Sequence, residues 1–365
     1  MDDRYAGLIP VTLITGFLGS GKTTLLQRLL ASPRLANTAV LINEFGEVGL
    51  DHLLVEHVDA DTVVLASGCI CCTIRTDLST AMRDLYDKRE RGKIKAFDRL
   101  VIETTGLADP APIVYTLVAD PVLCHHFRLG KVITTVDAVN GAQQLRENPE
   151  SIKQAAIADR ILLTKTDLAA AAQIARLKTE LRRLNPAAPI IESAGVIDPD
   201  DLLVGDLYDI HAKSREVRHW LEAEASEAHE HHEDEAHDVN RHDRNIVAFC
   251  LSFDQPLDWT AFGIWLTMLL NVHGDNVLRI KGILNVCDAE TPVVIHGVQH
   301  TIHPPVHLAA WPDGDRRSRI VFITRDLPRA PIEASLAAFN GLANRSPSTD
   351  TGAPVPVQSL RSRHD

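Results

Sequence analysis

An α/β fold, a doubly wound and mostly parallel sheet followed by a second, smaller α+β domain, is what this 365-residue sequence predicts. Three observations carry that expectation. Between residues 10 and 193, short runs of Val, Ile and Leu alternate with stretches that repeat apolar residues at helical spacing. The runs are apolar throughout, as strands covered on both faces by helices require, where a half-exposed strand would alternate. Beyond residue 222 the composition turns to Glu, Asp and His, and a new set of strand-like and helical patterns starts at residue 246.

In order, the runs 11–14, 39–42, 62–65, 100–102, 132–136, 161–163 and 190–191 read as strands, and 24–30, 74–87 and 169–184 read as helices. A first domain over 1–215 follows, then a His/Glu-rich linker over 216–245. Residues 246–343 form the second domain, with strands at 246–253, 277–286, 293–296 and 319–324 and helices at 259–270 and 332–342. The tail 344–365 is rich in Ser, Pro, Thr and Gly and is expected to be disordered.

The first strand runs into Gly16-Phe17-Leu18-Gly19-Ser20-Gly21-Lys22-Thr23, a complete G-x-x-x-x-G-K-S/T phosphate loop. Its glycines let successive backbone N–H groups turn inward on phosphate oxygens. Lys22 is placed to reach the β/γ-phosphates, and the Thr23 hydroxyl to hold Mg²⁺, with Thr24 beside it. The helix that follows points its positive end at the anion. Gly16, Gly19, Ser20, Gly21, Lys22, Thr23 and Thr24 are thus the expected phosphate set, and the first domain is expected to be a P-loop NTPase.

Two more strand ends fill out the nucleotide site. Glu103-Thr104-Thr105-Gly106 is an acid-x-x-Gly step: Glu103 acts on Mg²⁺ through water and the Gly106 N–H senses the γ-phosphate. No glutamine stands ready in sequence to position the attacking water, so slow intrinsic turnover is expected. Thr164-Lys165-Thr166-Asp167 follows a late strand. The Asp167 carboxylate can accept from N1–H and N2–H₂ of guanine, which adenine cannot offer, while the Lys165 stem packs on the base. Asp167 is also placed to cap a following helix, and one side chain cannot easily serve both roles. Glu192-Ser193-Ala194 occupies the position of a small loop under the base.

Six cysteines and no basic, apolar leader point to a reducing, cytoplasmic setting without a disulfide framework. A formal charge of −12 excludes a nucleic-acid or anionic-membrane partner, and no apolar run reaches the ~20 residues of a membrane span. Cys124, Cys250 and Cys287 read as inert core thiols. Cys69-Ile70-Cys71-Cys72 is different: adjacent thiolates suit a soft or borderline cation, with zinc–sulfur distances of about 2.3 Å. Two or three sulfurs do not complete a tetrahedron, and Glu44, after the second strand, is the expected further ligand beside Cys71 and Cys72, with Cys69 as an exchanging one. A redox pair or buried small residues are the plainer alternatives. His229, His231, His232 and His237 suit weak, exchangeable Zn²⁺, Co²⁺ or Ni²⁺ binding, or are simply part of a solvated linker.

The phosphate loop, the Glu103–Gly106 step, the C-x-C-C element and Thr164–Asp167 together resemble the CobW family of P-loop GTPases. Asn43-Glu44-Phe45-Gly46-Glu47-Val48-Gly49-Leu50-Asp51 and Leu278-Arg279-Ile280-Lys281-Gly282 are similar to that family's segments in its two domains. Thr164 departs from the N-K-x-D form of the guanine motif. The resemblance implies GTP hydrolysis coupled to transfer of a transition metal, zinc first, to a client metalloprotein or metal-cofactor pathway enzyme. An ordinary P-loop ATPase or kinase with incidental thiols and a non-enzymatic His-rich metal buffer are the rival readings.

Overall fold

The computed structural model describes residues 7–43, 63–67, 74–193, 202, 217 and 246–343. Glu44, Cys69, Cys71, Cys72, His229, His231, His232, His237 and the tail lie outside them.

Seven parallel strands form the first sheet: β1 (Ile9–Gly16), β2 (Thr38–Asn43), β3 (Val63–Ser67), β4 (Arg99–Glu103), β5 (Phe127–Asp137), β6 (Arg160–Thr164) and β7 (Ile190–Glu192). Their order is β3-β2-β4-β1-β5-β6-β7. Alternate residues of one apolar run serve opposite faces. Val11, Leu13, Ala39, Leu41, Leu100 and Ile102 pack under helices α2 (Ile74–Glu90) and α3 (Ala111–Ala119). Ile14, Val40, Ile42 and Val101 pack against Leu25, Leu26 and Leu29 of α1 (Lys22–Leu30). Burial on both faces is why these runs carry no polar alternation. Helices α4 (Gly141–Glu147), α5 (Pro149–Ala156) and α6 (Ala171–Leu184) cover the β5–β6 end through Leu145, Ile152, Leu177 and Leu181.

The second sheet is built of β8 (Ile246–Phe253), β9 (Val277–Leu284), β10 (Val293–Val298), β11 (Thr301–Ile302) and β13 (Ser318–Arg325), in the order β11-β10-β9-β13-β8, with β12 (Val306–His307) paired to β10. All its ladders are antiparallel. One face packs Ile280, Leu284, Ile295, Ile320 and Phe322 on α7 (Trp259–His273) and α8 (Arg329–Ala343), through Phe262, Trp265, Leu266, Ile332 and Leu336. The other face meets the layer over the first sheet: Ile323 and Leu278 join Ala156 of α5, and Ile283, Val294 and Val321 join Ala187 in the connection before β7. In the described residues no helix is long and apolar enough to cross a membrane.

Candidate functional site

The C-terminal ends of β1, β4, β5 and β6 converge on one loop. Gly16 ends β1 with φ of 142°, and a Cβ there would lie 2.3 Å from Thr135 Oγ1 and 2.4 Å from Thr135 O on β5, so no side chain fits. The loop is fastened to β5 by a hydrogen bond between the Ser20 and Thr135 hydroxyls at 2.6 Å. Its last residues enter α1, whose first turn carries no acidic side chain to compete for the exposed amides. Lys22 is 8% exposed and donates to Gly16 O at 3.0 Å and Phe17 O at 3.1 Å, which holds the ammonium over the loop. Gly19 and Thr24 are exposed.

Thr23 Oγ1 donates to Glu103 Oε1 at 2.7 Å, and Glu103 is itself 3% exposed. This brings together two hard oxygen donors, one from the first turn of α1 and one from the end of β4, a donor set that fits Mg²⁺. Thr104, next in chain, donates its hydroxyl to Thr15 Oγ1 at 2.9 Å. Gly106 then passes against the phosphate loop so closely that a Cβ would lie 2.6 Å from the Leu18 nitrogen and 2.7 Å from its Cα. Segment 106–109 is held from behind by α5, through Gln154 to Gly106 O and Ala108 O and Lys153 to Asp109 Oδ2.

Thr164–Asp167, the segment expected to read the base, is fastened to the same loop. Thr164 Oγ1 donates to Ser20 O at 2.7 Å, and Lys165, left-handed at φ 54°, donates from Nζ to Gly19 O at 2.8 Å and to Asp137 Oδ2 at 2.7 Å. Asp137, at the end of β5, is a residue sequence reasoning missed. Burial pushes its carboxyl up, but Lys165, Asn140 and the Val139 and Asn140 amides outweigh that and hold it below the usual range. An acid directly after a buried strand run was the available signal. Asp167 is exposed on a short 3-10 turn, and it does not cap α6, whose N-cap is Ala170 without a side-chain bond. Its carboxylate is thus not committed to capping α6. Ser193 donates its N–H to Leu163 O at 2.8 Å and accepts from Arg28 Nη1 at 3.0 Å, while Glu192 pairs with Lys178.

The metal candidates lie outside the described residues, but their chain neighbours do not. Asn43, which Glu44 follows, and Ser67, two residues before Cys69, are register partners at the ends of β2 and β3. Among the described residues no group of three or more His, Cys, Asp or Glu could hold a metal ion. Cys124 and Cys250 are half-buried, and Cys287 is exposed and so departs from the expected core thiol.

Comparison with known proteins gives consistent results. Residues 10–192 match the model of the CobW/HypB/UreG nucleotide-binding domain, and 246–340 match the cobalamin synthesis protein cobW C-terminal domain. The chain is 36% identical to the zinc chaperone YjiA of Escherichia coli, over 91% of this chain and 98% of that protein. It is 28% identical to the zinc-regulated GTPase metalloprotein activator 1 of Schizosaccharomyces pombe, over 88% of this chain and 83% of that one. The crystal structure of Zn(II)-bound YjiA GTPase from E. coli superposes with a TM-score of 0.66 at 30% identity, covering 91% of this chain and 99% of that one.

Proposed function

This chain belongs to the CobW family of P-loop GTPases, and from that premise we propose that it is a GTP-dependent metallochaperone that carries zinc to a client metalloprotein. The carrying observation is the strand order. Ile14 on β1 and Ile42 on β2 are both register partners of Glu103, and Asn43 on β2 is the partner of Ser67 on β3. Four adjacent strand ends therefore lead, in sequence across the sheet, into the phosphate loop, the acid step, Glu44 and the cysteines. At about 4.8 Å per strand, β1, which leads into the phosphate loop, and β3, which precedes the cysteines in the chain, stand about 14 Å apart in the sheet.

In this reading Gly16, Gly19, Ser20, Gly21 and Lys22 bind the phosphates. Thr23 and Glu103 would hold Mg²⁺, which when bound neutralises phosphate charge. Asp167, supported by Thr164 and Lys165, selects guanine. Cys71, Cys72 and Glu44 take the zinc as cargo, with Cys69 as an exchanging ligand and the His229–His237 stretch as a weaker collecting loop. Cobalt and nickel suit the same donors less selectively. GTP draws Gly106 onto the γ-phosphate and favours the complete zinc site, and hydrolysis relaxes it. A link between the two is at hand. α3 begins just after segment 106–109, α2 begins two residues after Cys72, and Asp120 at the end of α3 accepts from Ser79 and Arg83 of α2.

The test is a competitive zinc titration of the full chain with GDP and with a non-hydrolysable GTP analogue. Zinc binding tighter with the analogue by about fivefold or more, lost in Cys71→Ala/Cys72→Ala, is the expected result. Equal affinity in the two nucleotide states overturns the coupling.

A further inference from the structure

Helix α5 stands between the nucleotide site and the second sheet, and polar contacts fasten its C-terminal turn to both. On the nucleotide side, Gln154 Nε2 donates to Gly106 O at 3.1 Å and Ala108 O at 3.0 Å, while Lys153 Nζ donates to Asp109 Oδ2 at 2.6 Å. Gln154 has no exposed surface, and its Oε1 is buried without a hydrogen-bond partner. An apolar side chain of that shape would avoid this unsatisfied oxygen, so packing does not explain an amide here. What the amide does accomplish is to hold two carbonyls of the segment that touches the phosphate loop.

One turn on from Gln154, at the C-cap, Ile157 O accepts from Arg279 of β9. The Asp159 carboxylate accepts from Arg279 and, at 3.2 Å, from Lys281 Nζ, while its other oxygen takes the Val132 N–H at 2.9 Å. Asp159, Arg279 and Lys281 are 2%, 3% and 1% exposed. Asn185 Nδ2 ties down the carbonyls of Ala155, Ala156 and Ala158 at the same helix end. A hydrogen-bonded ion cluster this deep is costly to break and has few alternative geometries, so α5 and β9 move together or not at all. Gln154 and Ile157 are about 4.5 Å apart along the axis, close enough to shift as one body.

We propose that Gln154 is a positioning residue for segment 106–109, and that α5 carries the nucleotide state of that segment to β9 through Asp159, Arg279 and Lys281. The inference rests on Gly106 being the γ-phosphate sensor. Because Gly106 already lies against the Leu18 backbone, any rearrangement of the loop on nucleotide exchange displaces the two carbonyls that Gln154 holds. The second domain is then a responder to nucleotide rather than a passive appendage, and its state would report to whatever it meets.

The experiment is hydrogen exchange of the full chain in GDP and in a non-hydrolysable GTP analogue, read at 106–109 and at β9. Wild type, Gln154→Met and Lys153→Ala are compared, with circular dichroism as a check on folding. In wild type both segments are expected to differ between nucleotides. In Gln154→Met the β9 difference is lost, and the preference for the analogue over GDP falls about tenfold, equal to about 1.4 kcal/mol. Should Gln154→Met fail to fold, Lys153→Ala decides, because its pair is partly exposed and it should cut the β9 difference about in half. A wild-type response at 106–109 with none at β9 overturns the relay and leaves the site reading standing. No response at either segment sinks both. A full β9 response in the variants removes Gln154 and Lys153 from the path and refutes the proposal.

Discussion

The Thr164 hydroxyl donates to the backbone carbonyl of Ser20 at 2.7 Å, which joins the end of β6 to the phosphate loop. Thr164 stands where the guanine motif of GTPases usually has Asn. In this chain the Thr164 hydroxyl, not an amide, anchors the segment to the loop. Thr164→Val keeps the shape and leaves Ser20 O without that donor. A stability loss of about 1–2 kcal/mol is expected by chemical denaturation, with weaker binding of GTP and GDP alike by titration.

Gly106→Ala tests the sensor. The added methyl would sit 2.6 Å from the Leu18 nitrogen, and backbone cannot swing aside as a flexible side chain does. The segment must retreat from the phosphate loop. Phosphate release should fall at least about tenfold at saturating GTP, with GDP affinity changed far less, since only the γ-phosphate is expected to contact this N–H.

Asp167→Ala addresses base choice. The carboxylate is exposed and does not cap α6, so its removal leaves the fold intact. GTP affinity should drop by about one to two orders of magnitude toward that for ATP, measured by competition between the two nucleotides. An unchanged preference for guanine would return the site to the ATPase or kinase reading.

How much of this was legible in the chain follows from burial. The strands ending at Gly16, Asn43, Glu103, Asp137 and Thr164 announced themselves because runs such as Leu100-Val101-Ile102 must satisfy two cores at once. The phosphate loop declared its own chemistry through residue types no other structure needs in that order. Helix α3 gave no such signal: Ala111, Ile113, Val114, Thr116 and Leu117 are all buried, so it has no polar stripe to set a helical period. Gln154 was invisible for a related reason: its meaning lies in two carbonyls brought to it by a distant segment, and local pattern carries no trace of them. Asp137 left one trace, an acid directly after a buried strand run, but its Lys165 partner comes from another strand end. As a candidate to position water, Gln154 meets the same limit, since it lies at Gly106 but is wholly buried and spends its amide on two carbonyls.

Acid should uncouple the helices that flank the two candidate sites. Burial pushes the Asp120 carboxyl up, but the Ser79 hydroxyl at 2.6 Å, the Leu123 and Val122 amides and the Arg83 guanidinium at 2.8 Å outweigh it and hold the group well below the ordinary value of 3.8. A carboxylate depressed in the fold stabilises it fully above its unfolded value, and that contribution disappears as pH falls through 3.8 toward the folded value. Asp120→Asn keeps the shape and an acceptor but loses the charge. At pH 7 it should cost about 1–2 kcal/mol in chemical denaturation, moderated because Arg83 is largely solvated. The gap between variant and wild type should stay flat down to about pH 5 and close progressively below pH 4. Because Asp120 ties α3, which follows the sensor segment, to α2, which follows the cysteines, the same variant at pH 7 should also narrow the difference in zinc affinity between the two nucleotide states. A constant stability gap from pH 7 to pH 3 would mean that the charge on Asp120 contributes nothing to the joint, and the coupling would then have to run through apolar packing of Leu78, Met82, Ile113 and Leu117 alone.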